Sequence, residues 1–393
     1  MRKPYSLFLV FALICSGLSA QSSLDAVLAE ISVNNKSLLA QAQRVQAYEK
    51  GLQTGLWLYN PEVSYDFMKG FPTTAGNQSD LTISQSFDFP SAYARRRDLA
   101  QLKSAQVAFE TAALRQSVLL EAKLACLELI YLNRRKTELV RRLGDAELFL
   151  AAMQTKYDAL DATALDLNKA RQQVIYLKTA VKLVDSEISG QLTLLAELNG
   201  GKAISFADTL YPNSPELPPL EELRGLYESA DPVLSFFKAQ RNIGDAEIAL
   251  TKALTLPKME AGYRYQGILG QDFHGLHLGV TVPLWENKNR VAHQQLQTIF
   301  FEGKTEEQRN RINQELVRLY QQYSDLRESL EEFRQSIQSI NTPELLDKAL
   351  QAGQITTLEY LLEQSLLYEG RDQLLELEQA VEVTAAKLWK HIL

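Results

Sequence analysis

The feature that most constrains this chain of 393 residues is an internal repeat of about half its length. Corresponding positions lie 193 to 196 residues apart: Pro61 and Pro257, Pro90 and Pro283, and Thr163 and Thr356. Such a period is too long for the units of a solenoid. It indicates two copies of one plan, each with a helix, two strands and two long helices.

Each copy contains two segments in which apolar and polar residues alternate. They are predicted strands at about 61–69 and 80–89, and at about 257–267 and 274–283. Alternation with a period of two gives a strand one apolar face and one polar face. The loops inside each pair contain the turn-forming residues around 72–78 and 267–272.

Very long helices are predicted beside the strands, because no proline occurs between Pro90 and Pro212. The predicted helices cover about 91–160 and 163–199, then about 284–350 and 356–392. A helix of 70 residues is roughly 100 Å long. Apolar residues from Ile312 to Ile340 follow a heptad pattern, which predicts coiled-coil packing. Pro343 predicts a helix stop and restart, with a single kinked helix as the alternative.

The first twenty residues read as a secretory signal peptide with a basic start and cleavage after Ala20. Cys15 follows Ile14, where lipid attachment requires a small residue, so ordinary cleavage is favoured over lipidation. The first repeat then covers 21–210, a proline-rich linker 211–219, and the second repeat 220–393.

Four amphipathic strands cannot close a membrane barrel, which needs about eight or more. Association of chains would supply the rest: two copies would give eight strands and three would give twelve. The polar faces would then line the lumen, and its candidate residues are Glu62, Asp66, Asp88 and Arg264. Aromatic residues just outside the strands are candidates for a membrane-interface belt, with ordinary core packing as the alternative. They are Trp57, Tyr59, Tyr93 and Trp285.

No catalytic constellation is evident. The four histidines do not form a metal-ligand pattern, and there is no glycine-rich phosphate loop or zinc-type spacing. Cys126 reads as a buried small residue. The formal net charge of −7 argues against nucleic acid as a partner. We therefore expect neither enzyme activity, nor a cofactor, nor a bound metal.

Taken in order, these motifs resemble the TolC-like outer membrane efflux proteins over nearly the whole mature chain. The resemblance rests on the repeat, on the strand-to-helix prolines, and on the segment from Leu350 to Tyr360, which is similar to the family's helix-turn-helix tip. Its counterpart from Tyr157 to Lys169 has Leu160 where the family often has glycine.

The resemblance implies a mainly α fold with a small β part: a homotrimer with a twelve-stranded outer-membrane barrel continued by a helical tunnel into the periplasm. It implies a periplasmic adaptor and an inner-membrane pump, of RND or ABC type, as partners, with outer-membrane lipid around the barrel. It also implies tip residues at Tyr157, Leu165, Gly353 and Leu358. The implied entrance carboxylates are Asp166 and Glu359, for which a solvated helix face is the alternative.

The leading hypothesis is thus a passive exit duct for efflux or export. A periplasmic coiled-coil adaptor or scaffold without a barrel is the main alternative, and a secreted enzyme with a helical region is a third. Drugs, metal ions, lipids and peptides all remain open as cargo.

Overall fold

A computed structural model describes residues 23–213, 215–338 and 342–393. Within them the chain forms nine α-helices and four β-strands, which confirms the predicted mainly helical fold with a small sheet. The elements in chain order are α1 (Ser23–Asn34), α2 (Lys36–Gln53), β1 (Glu62–Lys69), β2 (Asn77–Phe87), α3 (Pro90–Asp158), α4 (Ala164–Leu198), α5 (Leu220–Ala230), α6 (Pro232–Ala253), β3 (Lys258–Ile268), β4 (Gln271–Thr281), α7 (Arg290–Gln338), α8 (Thr342–Gln351) and α9 (Thr357–Leu388). The predicted signal peptide and Cys15 lie outside the described residues.

The start of α7 differs from the sequence-based prediction. The helix begins at Arg290 rather than near 284, because Asn289 has a left-handed φ of 65° that a helix cannot include. The side chain of Asn287 also donates to the carbonyl of Leu254 at 3.0 Å and holds this loop in place. At the other end, α7 reaches Gln338 and α8 begins at Thr342. The residues that join them lie outside the described ranges, so the stop-and-restart reading at Pro343 stays a prediction.

The long helices pack side by side. With 69 residues, α3 is the longest and extends for roughly 100 Å. It contacts α4, α6 and α9, while α7 contacts α6 and α9. In the described part of the chain, no helix combines the length and the apolar character needed to cross a membrane.

The apolar core consists of four clusters between the helices, two of which join several elements. In one, α1, α3 and α4 bury Ile31, Cys126 and Leu195 completely. In the other, α5 and α7 meet the end of α9, and Tyr227 and Leu388 are at most 1% exposed. Since full burial of one such side chain contributes about 1.5–3 kcal/mol, these clusters hold the helix pairs together.

The four strands form one antiparallel sheet in the order β1-β2-β3-β4, so β2 and β3 join the two predicted repeats. Residues directly opposite each other share a face of the sheet. One such row runs Val63, Ile83, Tyr263 and Leu276, and the neighbouring row on the other face runs Glu62, Ser84, Gly262 and His277. The alternation seen in the sequence thus produces one largely apolar and one largely polar face across all four strands.

Candidate functional site

The tip of the helical region contains two turns with the same construction. Leu160 and Gly353 both have left-handed backbone conformations, with φ of 64° and 66°. In each turn the next residue donates to a carbonyl five positions earlier, Asp161 to Lys156 and Gln354 to Ala349, which ends the preceding helix. Glycine adopts this φ without a steric cost, whereas leucine does not. The side chain of Leu160 is 93% exposed.

The predicted entrance carboxylates each cap a helix immediately after these turns. Thr163 donates its hydroxyl to Asp166 at 2.6 Å, and the Asp166 amide donates back at 3.2 Å. Thr356 and Glu359 repeat this arrangement at 2.9 and 3.2 Å. Both are complete capping boxes. The sequence reasoning missed this role, although the pattern of Thr followed three residues later by Asp or Glu signals it.

The capping contacts also set the charge of the two carboxyl groups. The hydroxyl of Thr163 lowers the pKa of Asp166 below its usual value, and the backbone amide of Thr356 does the same for Glu359. Both groups are therefore ionised at neutral pH. The other predicted tip residues are exposed: Tyr157, Leu165 and Leu358 are 38%, 64% and 48% exposed.

Behind the tip, aromatic and polar contacts join α3, α8 and α9. The rings of Phe149 and Tyr360 stack with centroids 5.4 Å apart, and the Tyr360 hydroxyl donates to Asp347 at 2.9 Å. Burial and this hydrogen bond raise the pKa of Tyr360. A cavity of about 630 Å³ opens beside these residues.

A buried arginine, Arg142, links α3 to α9 on the side of Phe149 and Tyr360 that faces away from the tip. It is 3% exposed, donates to both carboxylate oxygens of Asp372 at 2.9 and 2.7 Å, and lies over the ring of Tyr368 at 4.3 Å. It also donates to Glu138 at 3.1 Å. Burial acts to raise the pKa of Glu138, but hydrogen bonds from Arg141 and Arg142 hold it at about 2.

The sequence pattern does not predict this cluster. The available signal was the spacing of Leu139, Arg142 and Ala146 at three and four residues, which places a charge within the apolar stripe of a helix. A buried charge requires a partner. The sequence did not identify that partner as Asp372, 230 residues away.

At the opposite end of the helices, Asp88 corrects one prediction. We expected it in the barrel lumen, but β2 ends at Phe87 and Asp88 is only 2% exposed. Its Oδ2 accepts from Arg96 and from the Tyr59 hydroxyl, the latter at 3.1 Å, and its amide donates to the Tyr93 hydroxyl at 3.1 Å. The alternating sequence pattern therefore extends one residue beyond the strand, and this residue is buried between the sheet and α3.

The predicted interface aromatics divide into two kinds. Tyr59 and Tyr93 direct their hydroxyls at Asp88, so they contribute to the junction. Trp57 and Trp285 are 78% and 81% exposed and remain available to an external surface.

The other predicted lumen residues lie on the polar face of the sheet. Glu62 is paired with Ser84 in the register, and Asp66 with Asp80. Arg264 lies 3.9 Å from Asp80, a buried carboxylate that the sequence reasoning did not single out. Among the described residues, no group of three or more His, Cys, Asp or Glu side chains is arranged to hold a metal ion.

No protein-family model and no curated relative matches the sequence. Solved structures match it in fold. CusC, whose crystal structures concern folding and transmembrane channel formation, matches with a TM-score of 0.80 and 14% identity over 95% of this chain and 92% of CusC. A membrane protein from Pseudomonas aeruginosa gives a TM-score of 0.78 and 15% identity over 94% and 90% of the two chains. The outer membrane protein VceC from Vibrio cholerae gives a TM-score of 0.72 and 15% identity over 94% and 95%.

These matches cover at least nine-tenths of every chain compared. At such low identities the agreement concerns the fold. This chain therefore has the fold of the TolC-like outer membrane channels.

Proposed function

We propose that this protein is a passive outer-membrane channel that carries substrates across the periplasm and the outer membrane as the outer component of a tripartite efflux or export system. The observation that supports this function best is the four-stranded sheet. It has opposite apolar and polar faces, two unpaired edges at β1 and β4, and a direct continuation into very long helices. Its strands of eight to eleven residues have the length of membrane-spanning strands.

Three copies would pair β1 of one chain with β4 of the next and close a twelve-stranded barrel. Closure satisfies the backbone groups that an isolated sheet leaves unpaired at its edges. The apolar face would then contact lipid, and the polar face, with Glu62, Asp66 and Arg264, would line a water-filled lumen. The helices would continue this lumen into the periplasm, where an adaptor and an inner-membrane pump would supply the substrate and the energy.

The first test is the mass of the protein extracted from the outer-membrane fraction in detergent, measured by light scattering and corrected for bound detergent. A mass of three chains, together with stepwise conductance in planar bilayers, is the expected result. A monomer that leaves the membrane without detergent would favour the coiled-coil adaptor instead.

The tip carboxylates provide a test at the level of residues. Three copies of Asp166 and Glu359 around one axis would create a negative field that favours cations at the entrance. We expect Asp166→Asn with Glu359→Gln to reduce the cation preference of single channels. These substitutions remove charge and retain an oxygen that can accept the capping hydrogen bonds.

The matched control is Glu369→Gln, which removes an exposed charge from the same helix as Glu359, ten residues further along. It should leave selectivity unchanged. Equal selectivity in all three proteins would show that Asp166 and Glu359 act only as helix caps.

A further inference from the structure

The four connections between helices and strands lie together at one end of the sheet. The register places the start of β1, the end of β2, the start of β3 and the end of β4 side by side. Asn287 donates to the carbonyl of Leu254, and Gln85 donates to that of Tyr59 at 2.7 Å. These connections form one continuous junction between sheet and helices.

Basic side chains are concentrated at this junction although the whole chain has an excess of acidic residues. They lie near the ends of α2 and α6, near the start of α3, and in the loop before α7. Several of them are exposed and have no ion pair within the described part of the chain, Arg290 at the start of α7 included. We call four of these the junction cations; they are Lys50, Arg97, Lys252 and Lys288.

Three of the nearby carboxylates are paired with other basic groups. Asp88 pairs with Arg96, Asp98 lies 3.5 Å from Arg95, and Glu286 lies 3.7 Å from Lys258. The junction cations therefore add positive charge that these carboxylates do not compensate. An exposed cation without a counterion attracts an external anion, and several cations at one junction add their attraction.

Exposed aromatic and apolar side chains accompany these cations. Trp57 and Trp285 are 78% and 81% exposed, and Leu58 and Leu284 beside them are 57% and 68% exposed. Beyond them lies the apolar face of the sheet, where Leu278 and Val280 near the end of β4 are 79% and 67% exposed. The surface thus passes from apolar residues through tryptophan to cations. A lipid monolayer has the matching order of acyl chains, interface and phosphates.

We propose that the junction cations bind the phosphate groups of anionic phospholipids in the periplasmic leaflet of the outer membrane. This inference rests on the proposed function, because the sheet must lie in the membrane for the junction to meet the headgroups. Each Lys or Arg close to an anionic surface strengthens binding by about fivefold. Four together give a preference on the order of a hundredfold or more over a neutral lipid.

The test compares wild-type protein in detergent with the variant Lys50→Gln, Arg97→Gln, Lys252→Gln and Lys288→Gln. The control variant is Lys156→Gln, Lys182→Gln, Arg318→Gln and Lys348→Gln, which removes the same charge from exposed sites away from the junction. None of these eight side chains makes an ion pair within the described residues, so neither variant breaks one there. Binding of short-chain phosphatidylglycerol, short-chain phosphatidylcholine and inorganic phosphate is measured by equilibrium dialysis.

Wild type and control should prefer phosphatidylglycerol to phosphatidylcholine, and the junction variant should lose that preference. Equal binding of both lipids by wild type, an unchanged preference in the junction variant, or displacement of the lipid by an equal concentration of inorganic phosphate would overturn the proposal. Conductance in bilayers that contain both phosphatidylcholine and phosphatidylglycerol is measured in parallel. Absence of channels there contradicts the proposed function, whereas channels without lipid preference contradict only the binding of anionic headgroups.

Discussion

The two strand-to-helix junctions occupy equivalent places in the predicted repeats but are built differently. In the first, two residues separate β2 from α3, and the carboxylate of Asp88 is buried against Arg96. In the second, eight residues separate β4 from α7, and the loop is attached by Asn287 and by the exposed pair of Lys258 and Glu286. A buried ion pair specifies one geometry, whereas an exposed loop permits several. The comparison indicates that the direction of α3 relative to the sheet is fixed more strictly than that of α7.

The largest expected effect comes from Arg96→Met. It leaves the carboxylate of Asp88 buried without its cation, and breaking a buried pair in this way costs about 3–5 kcal/mol. The matched control is Arg95→Met, because Arg95 pairs with Asp98 at the surface and such pairs contribute about 0–1 kcal/mol. Thermal unfolding of the purified proteins measures both.

The second junction is tested with Lys258→Met. Because Lys258 and Glu286 form an exposed pair, this variant should lose about as little stability as Arg95→Met. The double variant Asp88→Asn with Arg96→Met removes the uncompensated charge and should recover part of the lost stability. Equal destabilisation by Arg96→Met and Lys258→Met would refute the difference between the junctions.

The helix caps at the tip should behave alike in the two repeats, in contrast to the junctions. Thr163→Ala and Thr356→Ala each remove a side chain that accepts from a helix amide, at a cost of about 0.5–2 kcal/mol. We expect similar values from both, measured by chemical denaturation. Thr163→Ser and Thr356→Ser keep the hydroxyl and serve as controls. A cost confined to one repeat would mean that the tips differ in the way the junctions do.

The turns before those caps should respond in opposite directions. Gly353→Ala should cost about 1 kcal/mol, since alanine is strained at positive φ and no heavy atom lies within 4 Å of an added Cβ. Leu160→Gly should relieve about 1–2 kcal/mol of backbone strain, offset by about 0.5–1 kcal/mol of added chain entropy. The net gain is small, and thermal unfolding should detect it. A loss of stability in Leu160→Gly would show that the exposed leucine makes a stabilising contact in the assembly.

The smallest effect is the pH dependence of the two caps. The folded pKa values of Asp166 and Glu359 lie below their ordinary values of 3.8 and 4.5. Their contribution to stability is therefore fully present above about pH 5 and is lost as the pH falls through the lowered values. Melting temperatures between about pH 6 and 3 should fall less steeply in the Thr163→Ala, Thr356→Ala double variant than in wild type. Parallel curves would show that these caps do not contribute to acid sensitivity.

Much of the fold followed from local patterns. Alternation from Val63 to Phe67 requires no partner to be recognised, and neither does the long segment without proline after Pro90. The structure confirms strands and long helices in these places. Association into a trimer and the membrane position of the sheet remain proposals, because they depend on other molecules.

The parts that sequence reasoning missed depend on contacts between distant residues. Asp88 continues an alternating pattern, so its burial became visible only with Arg96 and Tyr59 around it. Arg142 interrupts an apolar stripe, but its partner Asp372 belongs to the second repeat. Start and end positions were also inexact where the backbone of one residue decides them, as Asn289 does before α7. Patterns along the chain predict elements, whereas the pairing of charges requires their three-dimensional arrangement.

The pairing of β2 with β3 has a consequence for how the chain is made. Partners such as Phe87 and Met259 are more than 170 residues apart in sequence. Ribosomes add about 5–20 residues per second, so the first hairpin waits roughly ten to thirty seconds for its neighbour to be synthesised. Throughout that time the backbone groups at the edge of β2 lack their partner strand and can pair with another chain. The sheet can therefore be completed only after both predicted repeats have been synthesised.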